Sequence, residues 1–185
     1  MGKIANEIIL RKWNIKDAKE LSRIGNNYKI FSRLTDAFPH PYTVAKAKKY
    51  IENTEKNKKA YFFAIEFEEK VIGSIGVTFY DDVYRKNAEL AYFLSEEYWG
   101  RKIMAKVIRS ICKIVFEKYI DITRIFAVPF GKNMASRKVL ENAGFRLEGI
   151  LRENVIKNKK IDDTYVFSIL RKEYQVSLRS SKRDG

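Results

Sequence analysis

The sequence has 185 residues, 45% of them hydrophobic, which suits one domain with a continuous core and excludes a chain that is disordered throughout. No apolar run reaches the roughly 20 residues of a membrane-spanning helix, and residues 1–10 lack the apolar segment and cleavage site of an export signal. A single cysteine, Cys112, excludes an internal disulfide and a cysteine metal cluster. We therefore expect a cytoplasmic protein that binds no metal.

The formal net charge is +14. Such a charge is compatible with nucleic-acid binding, but the lysines are scattered and form no basic block, and no nucleic-acid-binding motif accompanies them. A polyanionic small molecule requires only a local basic patch. We expect no specific nucleic acid and no membrane among the partners.

Hydrophobic spacing and turn residues divide the first half of the chain into helices and a hairpin. The predicted elements, in order, are a strand at Ile8–Leu10, a helix at Lys16–Asn26, a proline loop at Phe38–Thr43, a helix capped by Thr43 that runs to Lys56, and two strands at Tyr61–Phe67 and Val71–Tyr80. In the second helix we expect Val44, Ala47, Tyr50 and Ile51 to face inward.

The second half continues with strands and helices in alternation. The predicted elements are a strand at Glu89–Leu94, a loop to Gly100, a helix at Ile103–Tyr119, a strand at Arg124–Pro129, a helix from the cap Asn133 to Ala143, and two strands at Arg146–Lys157 and Ile161–Leu170. This order predicts an α/β fold with one mixed sheet and helices on its faces. Residues 1–174 form one domain, followed by a basic flexible tail at 175–185.

Two stretches carry the residues with chemical potential. At the first, a strand ends in a loop with Gly100 and opens a basic helix, so backbone N–H groups there can bind a phosphate. At the second, Asn133 caps a helix whose first turn holds Ser136, where the hydroxyl can reach a ligand. Taken alone, each has an ordinary explanation, a solvated basic face for the first and a simple helix cap for the second.

Two motifs together resemble the GNAT superfamily of acetyltransferases. They are Phe-Pro-His-Pro-Tyr-Thr at 38–43 and Asn-x-x-Ser-x-x-x-Leu-x-x-Ala-Gly-Phe at 133–145, and the resemblance covers Ile8 to Tyr174. The chain most resembles the branch with the Rim-type ribosomal-protein N-acetyltransferases and the spermidine acetyltransferases. This implies an acetyl-CoA-dependent N-acetyltransferase whose mostly antiparallel sheet is splayed between the strands at 89–94 and 124–129.

The resemblance also implies where acetyl-CoA, the co-substrate, would lie. Its pantetheine arm would pair with the main chain in the splay, and its pyrophosphate would meet the helix start. The expected cofactor-binding residues are Tyr92, Phe93, Leu94, Trp99, Gly100, Arg101, Lys102, Ile103, Met104, Ala105, Asn133 and Lys138. Two residues depart from the family pattern: Lys102 stands where a second Gly is usual, and Lys106 replaces a common Glu.

The mechanism implied by the resemblance is direct transfer in a ternary complex. Glu89 would remove the proton from the amine, through a water, a backbone N–H near Phe93 or Leu94 would stabilise the oxyanion, and Ser136 would donate to the departing thiolate. Glu89 is otherwise a strand-edge carboxylate paired with a lysine. The only histidine, His40, is either a second candidate base or part of a rigid loop.

The acceptor site is expected around Phe38, His40, Tyr42 and Tyr80, with a core role as the alternative for the aromatic residues. A protein or peptide N-terminal amine is the first expectation, and a polyamine or aminoglycoside is the alternative, since a basic protein gains little with polycations. A further alternative, motivated by Lys102 and Lys106, is a non-catalytic CoA-binding module. The protein is expected to be a monomer or a homodimer.

Overall fold

The computed structural model describes residues 2–4 and 8–181, with the side chains of 8–176. The strands are β1 (Gly2–Ile4), β2 (Ile8–Lys12), β3 (Ala60–Phe67), β4 (Lys70–Phe79), β5 (Asn87–Leu94), β6 (Arg124–Ala127), β7 (Arg146–Lys157) and β8 (Lys160–Leu170). The helices are α1 (Ala18–Gly25), α2 (Tyr28–Phe31), α3 (Val44–Lys56), α4 (Ile103–Lys118), α5 (Met134–Asn142) and α6 (Arg171–Ser181). None of the described helices is long and apolar enough to cross a membrane.

The strands form one sheet in the order β1-β2-β3-β4-β5-β6-β8-β7. Every neighbouring pair is antiparallel except β5 and β6, which run parallel. The predicted mixed, mostly antiparallel sheet is therefore confirmed.

Helices cover both faces of this sheet because each has one apolar stripe to bury. On one face, α4 contributes the predicted stripe, with Val107, Ile108 and Ile111 at most 1% exposed. On the other face, α1 and α3 form a second core cluster that includes Leu21 and Ile51.

The helix ends follow the capping residues read from the sequence. The Thr43 side chain accepts a hydrogen bond from the Lys46 N–H at 3.3 Å, and α3 begins directly after it. The Asn133 side chain likewise accepts from the Ser136 N–H at 3.2 Å. After α5, Gly144 takes a left-handed φ of +94°, as expected of a residue just beyond a helix C-terminus.

The structure differs from the sequence prediction in one buried position, two short elements and the C-terminal tail. Val44 is 38% exposed rather than inward, because it is the first residue of α3 and lies outside the buried stripe. The short elements β1 and α2 were not predicted, since three or four residues are too few to show a period. The predicted tail is helical as far as Ser181, and 182–185 lie outside the described residues.

Strands β5 and β6 separate after only three paired positions. The last pair is Glu89 with Phe126, although β5 continues to pair with β4 as far as Leu94. The chain after β6 turns to β8 instead: the Pro129 carbonyl accepts from the Tyr165 N–H at 3.0 Å. The strand predicted to reach Pro129 therefore ends at Ala127, and a gap opens between β5 and the chain that follows β6.

The close pairing of β4 with β5 depends on Gly73. A Cβ atom there would lie 2.4 Å from the carbonyl oxygen of Phe93, a backbone atom that cannot move without displacing β5. We expect Gly73→Ala to lower the free energy of unfolding by about 1–3 kcal/mol, measured by urea denaturation. Gly149→Ala is the matched control, because a Cβ there meets no heavy atom within 4 Å; equal losses in the two variants would contradict this account.

Candidate active site

A cleft of about 330 Å³ lies beside the end of β5, where the sheet has opened. Its walls come from β5, the loop after it, the start of α4, helix α5, and α2 with the segment that follows it. The lining residues are Ile30, Arg33, Leu34, Tyr92, Phe93, Leu94, Tyr98, Trp99, Gly100, Lys102, Ile103, Met104, Asn133, Ala135, Ser136, Lys138, Val139 and Asn142. The structure thus brings together the two stretches that the sequence singled out.

All the predicted cofactor residues line this cleft except Arg101 and Ala105. The Arg101 guanidinium lies over the Tyr98 ring, 5.0 Å from its centre. Ala105 is 3% exposed, so it offers its main chain and not its side chain.

The main chain of β5 presents hydrogen-bonding groups to the gap. In an antiparallel pair, the main-chain N–H and C=O groups of every second residue bond the partner strand. The main-chain groups of the residues between them point to the opposite edge of the strand. The N–H of Tyr80 donates to the Asn87 carbonyl and that of Ser95 to the Ile72 carbonyl, so odd-numbered residues of β5 face β4. The main-chain groups of Tyr92 and Leu94 therefore face the gap, where the Leu94 carbonyl accepts from the Trp99 indole N–H at 2.8 Å.

The start of α4 is an uncapped helix end. Lys102 occupies the cap position and makes no side-chain capping bond, so the first N–H groups of the helix have no cap acceptor. Gly100 has a φ of +76°, and a Cβ there would meet nothing within 4 Å. Open space, free N–H groups, the helix dipole and the exposed Lys102 and Lys106 together suit a pyrophosphate.

Two hydroxyl groups meet across the gap. The Tyr92 hydroxyl and Ser136 Oγ are hydrogen-bonded at 2.7 Å, which links β5 to α5. Burial raises the pKa of Tyr92 above its ordinary value, so the phenol remains protonated and can donate to Ser136. The sequence indicated the main chain of Tyr92 as a ligand group, but not this side-chain contact.

Glu89 lies at the point where the two strands part. Its carboxylate Oε2 accepts a hydrogen bond from the Tyr80 hydroxyl at 2.6 Å, and this bond, together with burial, raises the pKa of Tyr80 to about 12. The alternative expectation, a lysine paired with Glu89, is wrong: among the described residues Tyr80 is the side chain that bonds its carboxylate.

Comparison with known proteins agrees with this site. The family described as an acetyltransferase (GNAT) domain matches residues 7–146. The chain belongs to the GNAT family. The probable N-acetyltransferase YjcK of Bacillus subtilis is 33% identical over 135 residues, which are 70% of this chain and 74% of that protein.

Solved structures show the same fold. RimL, a ribosomal L7/L12 alpha-N-protein acetyltransferase in complex with coenzyme A, has a TM-score of 0.81 at 18% identity, covering 91% of this chain and 96% of its own. A spermidine N-acetyltransferase from Vibrio cholerae, in complex with CoA and spermine, has a TM-score of 0.78 at 20% identity, with coverages of 92% and 99%. The family match, with its N-acetyltransferase relative, makes this GNAT protein an acetyl-CoA-dependent N-acetyltransferase that acts on an amine.

None of the residues predicted for the acceptor lines the cleft, although the Phe38 and Tyr42 rings contact each other, with ring centres 4.7 Å apart. Phe38 packs edge-on against Phe93 with ring centres 5.2 Å apart, whereas His40 is exposed and stacks on Phe31 at 4.9 Å. Tyr42 is 3% exposed in the second core cluster, so the core alternative is the one observed for it.

The cleft also has a wall that the sequence did not indicate. Ile30, Arg33 and Leu34 line it from the segment that begins in α2. The Arg33 guanidinium lies 5.1 Å from the centre of the Trp99 ring and fixes this segment against the loop before α4. The residue that could have indicated this short helix in the sequence is Asn27. Its side chain caps α2 by accepting a hydrogen bond from the Lys29 N–H.

The family departure at Lys102 has a conformational cost. Lys102 has a φ of +58°, in the left-handed region where glycine is favoured and other residues lose about 1–2 kcal/mol. We expect Lys102→Gly to raise the free energy of unfolding by about 1 kcal/mol, whereas Lys102→Ala keeps the cost. Urea denaturation measures both. Gly100→Ala is the opposite control. It should lower the free energy of unfolding, because it places a non-glycine residue at φ +76°. Equal stability of Lys102→Gly and Lys102→Ala would show that the backbone is unstrained there.

Proposed function

We propose that this chain acetylates the α-amine at the N-terminus of a protein or peptide, by direct transfer in a ternary complex with acetyl-CoA. The observation that carries this proposal is the position of Glu89, a carboxylate at the point where β5 and β6 separate. A base at that point lies beside the opening in which a thioester and an amine would meet.

The described residues fit acetyl-CoA. The main chain of Tyr92 and Leu94 would hold its extended arm in the manner of an added strand, and the uncapped start of α4 would hold its pyrophosphate. When bound, acetyl-CoA supplies an activated acyl group as a thioester.

Glu89 is suited to take a proton from the acceptor. Its Oε1 makes no hydrogen bond to any described residue, so it is available to an ammonium group directly or through a water. An α-amine has an ordinary pKa of about 7.7–8.0, against about 10.4 for a lysine side chain, so less free energy is needed to deprotonate it at neutral pH.

The charges around β6 favour a monovalent amine over a polyamine. A polycation is best recognised by several carboxylates without cationic partners, whereas Glu148 on β7 is already paired with Arg124 on β6. The fold shared with RimL, whose name describes an alpha-N-protein acetyltransferase, agrees with this preference.

A panel of acceptors tests the proposal. Purified protein would be given acetyl-CoA with peptides of varied N-terminal residues, N-terminally blocked peptides, spermidine and an aminoglycoside. CoA release and mass spectrometry would follow the reaction. We expect acetylation of the free α-amine only. Turnover with spermidine alone would identify a polyamine enzyme, and acetyl-CoA binding without turnover on any amine would identify a non-catalytic module.

Glu89→Gln removes the proposed base while keeping the shape of the side chain. We expect kcat to fall by about 10²–10⁴-fold, with the dissociation constant of acetyl-CoA unchanged in calorimetry. Glu52→Gln is the control, because Glu52 is an exposed carboxylate on α3. An unchanged kcat at saturating acceptor would remove Glu89 from the mechanism.

Ser136→Ala separates catalysis from helix capping. The cap bond runs from the main-chain N–H of Ser136 to Asn133 Oδ1, and alanine keeps it. We expect the free energy of unfolding to fall by about 1–3 kcal/mol, because the buried Tyr92 hydroxyl loses its partner. We expect kcat to fall about 10-fold at temperatures where the variant is folded, because the hydroxyl that would donate to the leaving sulfur is gone. Rate measurements with a parallel thermal melt check this, and a normal rate would leave Ser136 as a first-turn residue only.

A further inference from the structure

Tyr80 contacts both of the strands that separate at the site. Its hydroxyl donates to Glu89 Oε2 on β5 at 2.6 Å. Its ring packs against Phe126 on β6, with ring centres 5.6 Å apart. Glu89 and Phe126 are the last paired residues before the gap. Tyr80 therefore sits against the final pair from which the two strands diverge.

We propose that Tyr80 is a positioning residue for Glu89. Its hydroxyl holds Oε2, fixes the orientation of the carboxylate and leaves Oε1 as the oxygen that receives the proton of the amine. This inference rests on the proposed function, because it takes Glu89 as the base. It assigns Tyr80 a role other than the acceptor contact expected from the sequence.

The hydroxyl is not needed for the packing. Tyr80 is 37% exposed, and its ring alone makes the contact with Phe126, so phenylalanine would pack equally well. Its backbone is held separately, by the N–H bond to the Asn87 carbonyl at 3.2 Å. A phenol at a partly exposed site would be satisfied by water, so its direct bond to a carboxylate points to an effect on that carboxylate.

The hydrogen bond acts on the orientation of Glu89. A hydrogen bond to a charged group is stronger than one between neutral groups, so the phenol restrains the carboxylate in one position. Charged groups in this region are Arg124 on β6 and Glu148 on β7, which pair with each other, and Asp81, next to Tyr80 in sequence, which pairs with Lys59. Arg124 also donates to Asn87 Oδ1 at 3.0 Å, and Glu148 accepts from the Ser168 hydroxyl at 2.6 Å. Both are therefore engaged, and Tyr80 is the described residue that donates directly to Glu89.

The direct test compares the steady-state kinetics of Tyr80→Phe with those of the wild type, at saturating acetyl-CoA and varied acceptor. We expect kcat to fall about 10-fold, the size of a hydrogen bond to a charged group, with the KM for the acceptor nearly unchanged. In the double variant Tyr80→Phe/Glu89→Gln, the loss of the hydroxyl should have no further effect beyond that of Glu89→Gln, because the hydroxyl acts through the carboxylate. Tyr84→Phe is the matched control, since Tyr84 is a 65% exposed tyrosine in the same connection, and it should leave kcat unchanged.

Binding and stability supply the second readout. In Tyr80→Phe, the dissociation constant of acetyl-CoA in calorimetry and the thermal stability should both remain unchanged, because the hydroxyl contacts neither the cofactor cleft nor the core. An unchanged kcat in a folded Tyr80→Phe variant, or an equal further loss in the double variant, would overturn the role of Tyr80 alone. A wild-type enzyme that acetylates no amine would instead overturn the proposed function.

Discussion

The site depends on the short parallel pairing of β5 and β6. Only three positions pair; beyond them β5 continues along β4, and the chain after β6 is bonded to β8. Pro129 favours this division, since it has no N–H to offer β5 and its carbonyl is taken by Tyr165. The separation leaves main-chain groups on β5 without a strand partner. An extended ligand can satisfy those groups where no strand does.

The two candidate catalytic groups reach this opening from opposite faces of β5. Glu89 and Tyr92 are three residues apart, and because strand side chains alternate, they point to opposite sides. Glu89 is held by Tyr80 on one side, and Tyr92 holds Ser136 on the other. One phenol thus contacts the group proposed to accept a proton, and the other contacts the group proposed to donate one. The arrangement separates the two proton transfers across the strand.

The start of α4 shows how a local conformational cost can serve binding. A left-handed residue before the helix turns the first N–H groups toward the cleft, and glycine would adopt that shape without loss. This chain has Lys102 there, with φ +58°, and so adds an ammonium group at a conformational cost. Strain that the surrounding structure maintains at a ligand site is a known feature of functional loops. The cation also suits a ligand with several phosphate charges.

The sequence by itself determined the helices and strands that have a clear hydrophobic period or a capping residue. Through the family motifs it also indicated most of the residues that line the cleft. Helix α4 follows from its apolar stripe, α5 from Asn133 and Gly144, and both are local properties of neighbouring residues. Only the tertiary structure decided which side chains pair across the gap and which aromatic residues are buried. Three such contacts join residues that are 9, 44 and 66 positions apart in the sequence. They are Tyr80 with Glu89, Tyr92 with Ser136, and Arg33 with Trp99. Such contacts are set by strand register and by packing between elements, and neither is encoded in the spacing of residues along one segment.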